Sequence, residues 1–277
     1  DRHTDSEMLK DLSNTLVLIL NEVSHCVEDF GALKDKVGLV SAELSKLPCD
    51  KPKKEIKESQ DFLAWLGNEH FTFLGCDEFT IEKKDGKTFI VREEANDLGI
   101  FRYHKSDTQR RKLEELPNEI QAFVLSSDIV NFFKSGARSR VHRPAYPDYV
   151  VVKRFDKQGK VCGESRFLGL YTSPVYTLSP SKIPVIRQKV DHVLERSGLG
   201  VMSHDGKALR QVLETFPRDE LFQSSESELF ETSMGAAQIK ERHMVRLFLR
   251  RDPYGKFVNG IVYVPRDAFS TQIRQQI

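Results

Sequence analysis

Few residues of this chain have the types and spacing that chemistry needs. Ser203, His204 and Asp205 supply the three residue types of a hydrolytic triad. A triad is assembled in space and not by adjacency, so the expected role is a cap and loop before a helix. Gly86-Lys87-Thr88 is similar to the end of a phosphate-binding loop, but the upstream glycine it needs is Ile81. Gly198-Leu199-Gly200 follows a helical pattern rather than a strand, and Ser203 stands where the third glycine of a dinucleotide loop belongs. Four cysteines, Cys26, Cys49, Cys76 and Cys162, are far apart, with no CxxC pair. That argues against a zinc site and a disulfide framework and favours a reduced, cytoplasmic protein. What remains is charge. His142 and Arg143 sit on an extended segment, 139–144, suited to an anion or an interface. Arg154, Glu164 and Arg166 lie on neighbouring strands and are the other regulatory or interface candidates. Arg246, Arg250 and Arg251 fit a basic strip on one strand edge, and Asp219-Glu220 a solvated helix edge.

The element that must position these candidates is a hairpin. Residues 149–155 and 161–171 are β-branched and aromatic, and Asp156-Lys157-Gln158-Gly159 supplies a type I turn with a glycine bulge. In that register Phe155 faces Val161, Val151 faces Ser165 and Tyr149 faces Phe167, making one apolar face. Arg154, Glu164 and Arg166 then share the other face with Val150, Val152 and Leu168, with Glu164 diagonal to Arg154. As exposed pairs they contribute roughly 0.2–1 kcal/mol.

Upstream, Leu9, Leu12, Leu16, Ile19, Leu20, Val23 and Val27 have helical spacing, as do Leu33, Val37, Val40, Leu44 and Leu47. Two amphipathic helices with a break near Phe30-Gly31 follow. Their stripes bury against each other or against a neighbour. A third helix turns Ile56, Phe62, Leu63 and Leu66 inward and ends at Gly67-Asn68. From His70 the period becomes two, with a bulge expected at Gly75 and a hairpin at Asp85-Gly86. Strands are expected at 98–103 and 129–133. The result is an α+β fold: a central antiparallel sheet with helices on one side. Beyond it, Ser179-Pro180-Ser181 starts a helix that Ser197-Gly198 stops. Lys207 to Thr215 forms another, and Ser225 with Glu228 a capping box. Strands at 244–250 and 257–264 and a helix from Ala268 close the sequence, a pattern expected of a piece of something longer.

The 277 residues carry a net charge of +1, so no overall field favours nucleic acid. The longest apolar run, 15–20, is too short for a bilayer, which needs about 20 residues.

Five segments resemble one family. They are 62–75 (FLAWLGNEHFTFLG), 139–156 (SRVHRPAYPDYVVVKRFD), 164–176 (ESRFLGLYTSPVY), 197–223 (SGLGVMSHDGKALRQVLETFPRDELFQ) and 245–267 (VRLFLRRDPYGKFVNGIVYVPRD). The family is that of the large bacterial NAD-specific glutamate dehydrogenases. The resemblance implies the region before the catalytic domain, with ACT-like regulatory modules and a PAS-like module. With the periodicities, the expected division is a helical hairpin and linker (1–54), a PAS-like or ACT-like antiparallel sheet domain (55–178), a helical connector (179–242) and the start of a truncated ACT-like module (243–277). It implies NAD as cofactor of the parent enzyme, with no catalytic, cofactor or metal residue in this stretch. Implied partners are the rest of the polypeptide, other subunits of a homo-oligomer and an amino-acid effector, with no nucleic acid and no membrane. The alternative is a free-standing PAS-type sensor.

Overall fold

Helices α1 (Ser6–Glu28) and α2 (Phe30–Leu44) meet at Asp29, next to the expected break. Helix α3 (Lys53–Trp65) follows and ends in a single wide turn, Leu66–His70. On α2, Leu33, Val37, Val40 and Leu44 are buried, as periodicity demands. On α3, so are Phe62 and Leu63, and Leu66 is buried where the wide turn begins, while Ile56 is only half-buried. Helix α1 departs from expectation. Its stripe of Leu9, Leu12, Leu16, Leu20, Val23 and Val27 is exposed, and its buried residues are Glu22 and Cys26. The computed structural model describes residues 6–46, 51–103, 110–239, 244–265 and 270–276. Leu47 and Cys49 lie outside them.

The sheet strands are β1 (Phe71–Lys84), β2 (Lys87–Arg92), β3 (Leu98–Gly99) and β4 (Arg110–Lys112). After helix α4 (Asn118–Leu125) come β5 (Val130–Lys134), β6 (Asp148–Phe155) and β7 (Val161–Tyr171). All pairings are antiparallel, in the order β4-β2-β1-β7-β6-β5, with β3 also on β1. The β1–β2 turn has Asp85 and Gly86 both at positive φ (52° and 73°), the geometry that makes Asp-Gly a hairpin signal. The bulge in β1 falls between Phe73 and Gly75, so Leu74 is the extra residue. Gly75 is needed for approach instead: a Cβ there would lie 2.8 Å from the Phe101 ring. The strand expected at 98–103 is cut short, because Ile100–Arg102 turns into a 3₁₀ helix after Gly99.

The central hairpin forms with its expected turn: Asp156 N donates to Lys160 O, Gly159 N to Asp156 O, and Gly159 has φ 76°. Phe155 faces Val161, but the register then shifts. Val151 faces Arg166, Val152 faces Ser165, Val150 faces Phe167 and Tyr149 faces Leu168. Cys162 is the unpaired extra residue, and one residue of slip exchanges the faces. Both faces are covered, not one. Lys36 of α2 and Phe62 of α3 reach one of them, at Glu78 and Phe132. Phe123 and Val124 of α4 and Phe101 reach the other, at Phe133, Lys153 and Tyr149. Val150, Val151 and Val152 are accordingly all fully buried.

Residues 1–173 form one unit and 174–277 another. The N-terminal helices thus share a unit with the sheet, and the boundary follows Ser173 rather than Leu178. The second unit begins along α5 (Ser173–Thr177) and continues with α6 (Ile186–Ser197), α7 (His204–Thr215), α8 (Arg218–Gln223) and α9 (Glu226–Ile239). Strands β8 (Arg246–Arg251) and β9 (Val258–Tyr263) form a hairpin, and α10 (Thr271–Gln276) follows. Helix α6 starts later than expected. Pro180–Lys182 is only a 3₁₀ turn, and Pro184 disfavours helical backbone at Ile183. Gly198 closes α6 at φ 64°. Ser225 and Glu228 make the reciprocal capping box, at 2.8 and 3.2 Å.

Candidate functional site

The hairpin's register decides which charges meet. Lys153 and Glu164 are directly opposed on β6 and β7. Lys153 Nζ donates to Glu164 Oε2 at 2.6 Å and to the Val124 carbonyl at 3.0 Å. Arg166 Nε donates to Glu164 Oε1 at 2.5 Å, and its guanidinium lies 4.0 Å over the Phe79 ring. Glu164 is 1% exposed and Lys153 1%, so the surface pair expected for Glu164 is a core pair. Burial works against the Glu164 carboxylate, but Arg166 and Lys153 outweigh it and hold its pKa below the ordinary value. Burial also pulls the Lys153 ammonium down, against the pull of Glu164.

The same face continues onto β1 and β2. Asp77 is paired with Arg166 across the strands, and its Oδ1 is buried without a hydrogen-bond partner. Burial pushes its carboxyl up to about 6, although Arg166 and Arg92 oppose this. Arg92 is itself committed to Asp97, through Nη2 at 3.0 Å and Nε at 3.4 Å. The opposite face holds a second buried acid, Glu78. It accepts from Ser165 Oγ (2.6 Å), Lys36 Nζ (2.9 Å) and Asn96 Nδ2 (2.8 Å). Burial opposes its ionisation, but the bonds from Ser165 and Lys36 prevail and lower its pKa.

Of the sequence candidates, Glu164 and Arg166 belong to this network. Arg154 does not: the register slip turns it to the other face, where Nη2 donates to the Phe79 carbonyl (2.8 Å) and Thr80 Oγ1 (3.1 Å). His142 is exposed in the loop before β6, at φ 67°, a conformation in which His is enriched. Arg143 ties that loop to the end of β7 through Nη2 and the Tyr171 carbonyl, at 2.9 Å. Neither joins the ion network. Ser203 caps α7 through Gly206 N at 3.0 Å, while His204 and Asp205 are exposed. Burial pushes the Cys26 thiol up to about 11 and raises Cys76 as well, which keeps both protonated. Among the described residues no cluster of three His, Cys, Asp or Glu could hold a metal ion. No helix among them is long and apolar enough to cross a membrane.

Beside the network's edge, a cavity of about 420 Å³ lies between the end of α2 and the tip of β6. Val40, Leu44 and Phe155 give it an apolar wall, and Glu43, Lys46 and Lys157 charge its rim.

The second unit has its own buried pair. Arg250 donates from Nε and Nη2 to both oxygens of Glu220, at 2.7 and 2.8 Å, and to Gln223 Oε1 at 3.2 Å. Burial disfavours the Arg250 charge, but its bonds to the Glu220 carboxylate prevail and raise its pKa. Arg250 is therefore no part of a surface strip, and Glu220 no solvated edge. Arg246, Phe248 and Arg250 share one face of the hairpin, and Gly235 of α9 lets Phe248 pack closely, its ring 2.8 Å from where a Cβ would stand. Leu247, Leu249 and Arg251 are exposed on the other. Lys189 of α6 donates to three carbonyls, those of Leu221, Phe222 and Ser224, at 2.7–3.1 Å.

Lys153, Asp77, Glu78, Arg92, Glu220 and Arg250 are interior charges that the sequence does not mark as such. A polar residue in an alternating strand signals a solvated face unless something else covers that face. The only available signal was the density of charge opposite charge in β1, β6 and β7.

Residues 183–242 match the family model described as glutamate dehydrogenase, helical motif 1, and residues 246–277 the glutamate dehydrogenase ACT2 domain. The whole chain is 38% identical to an NAD-specific glutamate dehydrogenase of Halomonas elongata and 40% identical to one of Pseudomonas aeruginosa. A third, from Mycobacterium tuberculosis, is 26% identical over 98% of the chain. The chain spans about 17% of the length of the first two. By these matches the chain corresponds to an N-terminal region of the large NAD-specific glutamate dehydrogenases.

Proposed function

We propose that this chain is a regulatory and assembly region of a cytoplasmic dehydrogenase that oxidatively deaminates L-glutamate to 2-oxoglutarate and ammonia with NAD. In this reading NAD is held elsewhere in the parent protein, and no residue of this chain touches the reacting atoms. The observation that carries it is the buried Arg250–Glu220 pair. Arg250 lies in the stretch matched by the ACT2 domain and Glu220 in the stretch matched by the first helical motif. A bidentate buried pair fixes geometry closely, so it can pass a displacement of the ACT2 hairpin to α8. The sheet of the first unit is read as PAS-like: a hairpin (β1–β2), two short strands (β3 and β4), then three strands (β5–β7), returning through β7 to pair with β1. An amino-acid effector is expected where ACT-like modules pair.

The test is a comparison of the purified chain with a full-length enzyme that contains it. Glutamate-dependent NAD reduction by the chain alone should equal the buffer control. A rate that saturates with glutamate overturns the proposal. So does a full-length enzyme whose glutamate and effector responses are unchanged when Arg250→Ala separates the two segments.

A further inference from the structure

Helix α1 carries an apolar seam that its own unit leaves bare. Leu9, Leu16 and Val23 recur every seven residues, with Phe30 at the start of α2 continuing the row, and Ser13, Leu20 and Val27 occupy the alternate position with the same period. This is the repeat of a coiled-coil seam. Leu9, Leu16, Leu20 and Val27 are 53%, 51%, 66% and 70% exposed. The helix meets its unit through other residues: Cys26 Sγ donates to the Leu74 carbonyl, and Asp29 at its end accepts from Gly99 N. Residues 7–17 are exposed on every side. A free helical stretch that short is marginal in water, so packing must supply what propensity does not. With Met8, Leu12 and Val17, the seam exposes on the order of 1,000 Å², against roughly 800 Å² that each partner gives a standard interface.

We propose that this seam is a homodimer interface, occupied by α1 of a second copy running antiparallel. The seam is self-complementary about its midpoint. In an antiparallel pair Leu9 meets Val27, Ser13 meets Val23 and Leu16 meets Leu20, and each layer occurs twice by the two-fold axis. The free half of each helix then lies on the half that its partner's unit supports. The small Ser13 takes the β-branched Val23, which keeps the helices close. No such matching is available to a partner that lacks the same repeat.

Sedimentation equilibrium of the chain over the micromolar range tests this. The expected mass is twice that of one chain. Leu16→Glu with Leu20→Glu, both at exposed positions, should raise the dissociation constant at least about 100-fold, since two central contacts are lost. Near-UV circular dichroism should be unchanged, because the aromatic core lies in the sheet. Orientation is read by oxidation: Leu9→Cys chains mixed with Val27→Cys chains should cross-link, and Leu9→Cys chains alone should not. A monomer at every concentration, a dimer that survives the double substitution, or cross-linking of Leu9→Cys to itself overturns the proposal. A monomer would assign the seam to another part of a longer polypeptide.

Discussion

Asp77→Asn should make the first unit more stable at neutral pH, although it removes a charge that faces two arginines. Asp77 is 5% exposed, and its Oδ1 is buried without a hydrogen-bond partner. Arg166 and Arg92, the cations facing it, are already engaged by Glu164 and Asp97. Burial therefore prevails and raises its pKa from 3.8 to about 6. A carboxyl whose pKa is raised by folding stabilises the fold when protonated. That contribution is complete below about 4 and is lost as pH rises through about 6. A shift of about two units corresponds to about 3 kcal/mol, the most that Asn can recover at pH near 8. For a unit of this size the midpoint should rise by up to about 10 °C. The assay is thermal or urea unfolding of both proteins at several pH values between about 8 and 4. Taking the difference matters, because Glu164 and Glu78, whose pKa values are lowered, lose stability as pH falls and would mask the effect. The two curves should converge as Asp77 takes up its proton. An Asn variant that is less stable at pH near 8, by an amount that does not change on acidification, would show that Asp77 acts as a paired anion and refute the reasoning.

Three other outcomes follow from the same geometry. Glu164→Ala leaves the buried Lys153 ammonium with the Val124 carbonyl and the Phe123 ring but no anion hydrogen-bonded to it, and should cost about 3–5 kcal/mol in urea unfolding; a loss under about 1 kcal/mol would mean the pair is solvated. Phe167→Ala, at a fully buried position, should cost about 3–5 kcal/mol, while Lys157→Ala in the turn changes stability by less than about 0.5 kcal/mol. Equal losses at the two positions would contradict the assigned faces. Val185 has φ 68° and ψ −47°, strained for a β-branched residue, so Val185→Gly should stabilise the second unit by up to about 1 kcal/mol; a lowered denaturation midpoint would show that the surroundings hold Val185 without strain.

The turns and caps were the most legible features, because their residues act locally. Asp85-Gly86, Asp156 to Gly159, Gly198 and the Ser225–Glu228 box all do in the structure what their types require. The register of the central hairpin was not legible. The bulge at Cys162 follows a turn that already carries its own glycine, Gly159, and Gly163 beside it reads equally well as an ordinary strand residue; one extra residue moved Arg154 to the far face and set Glu164 against Lys153. The burial of those charges was hidden for a related reason. The covering α4 is a short helix, introduced by Pro117, with too little sequence to show a period. In α1 the period was plain but its use was not: a stripe at helical spacing says that a face wants cover, and the seven-residue recurrence counts only once the stripe is seen to be bare. Glu220 and Arg250 are far apart in sequence, and nothing local to either marks the pair.

The most direct test of the regulatory role is the initial rate of a full-length enzyme that contains this chain and carries Arg250→Ala, followed over glutamate concentration with and without amino-acid effectors. In the proposed reading, loss of the buried pair would uncouple the β8–β9 hairpin from α8 without touching a reacting atom. The account predicts that kcat stays within about threefold while the half-saturating glutamate concentration and the effector response change. A kcat lowered about 100-fold, with KM and effector response intact, would place this region in the chemistry and contradict it.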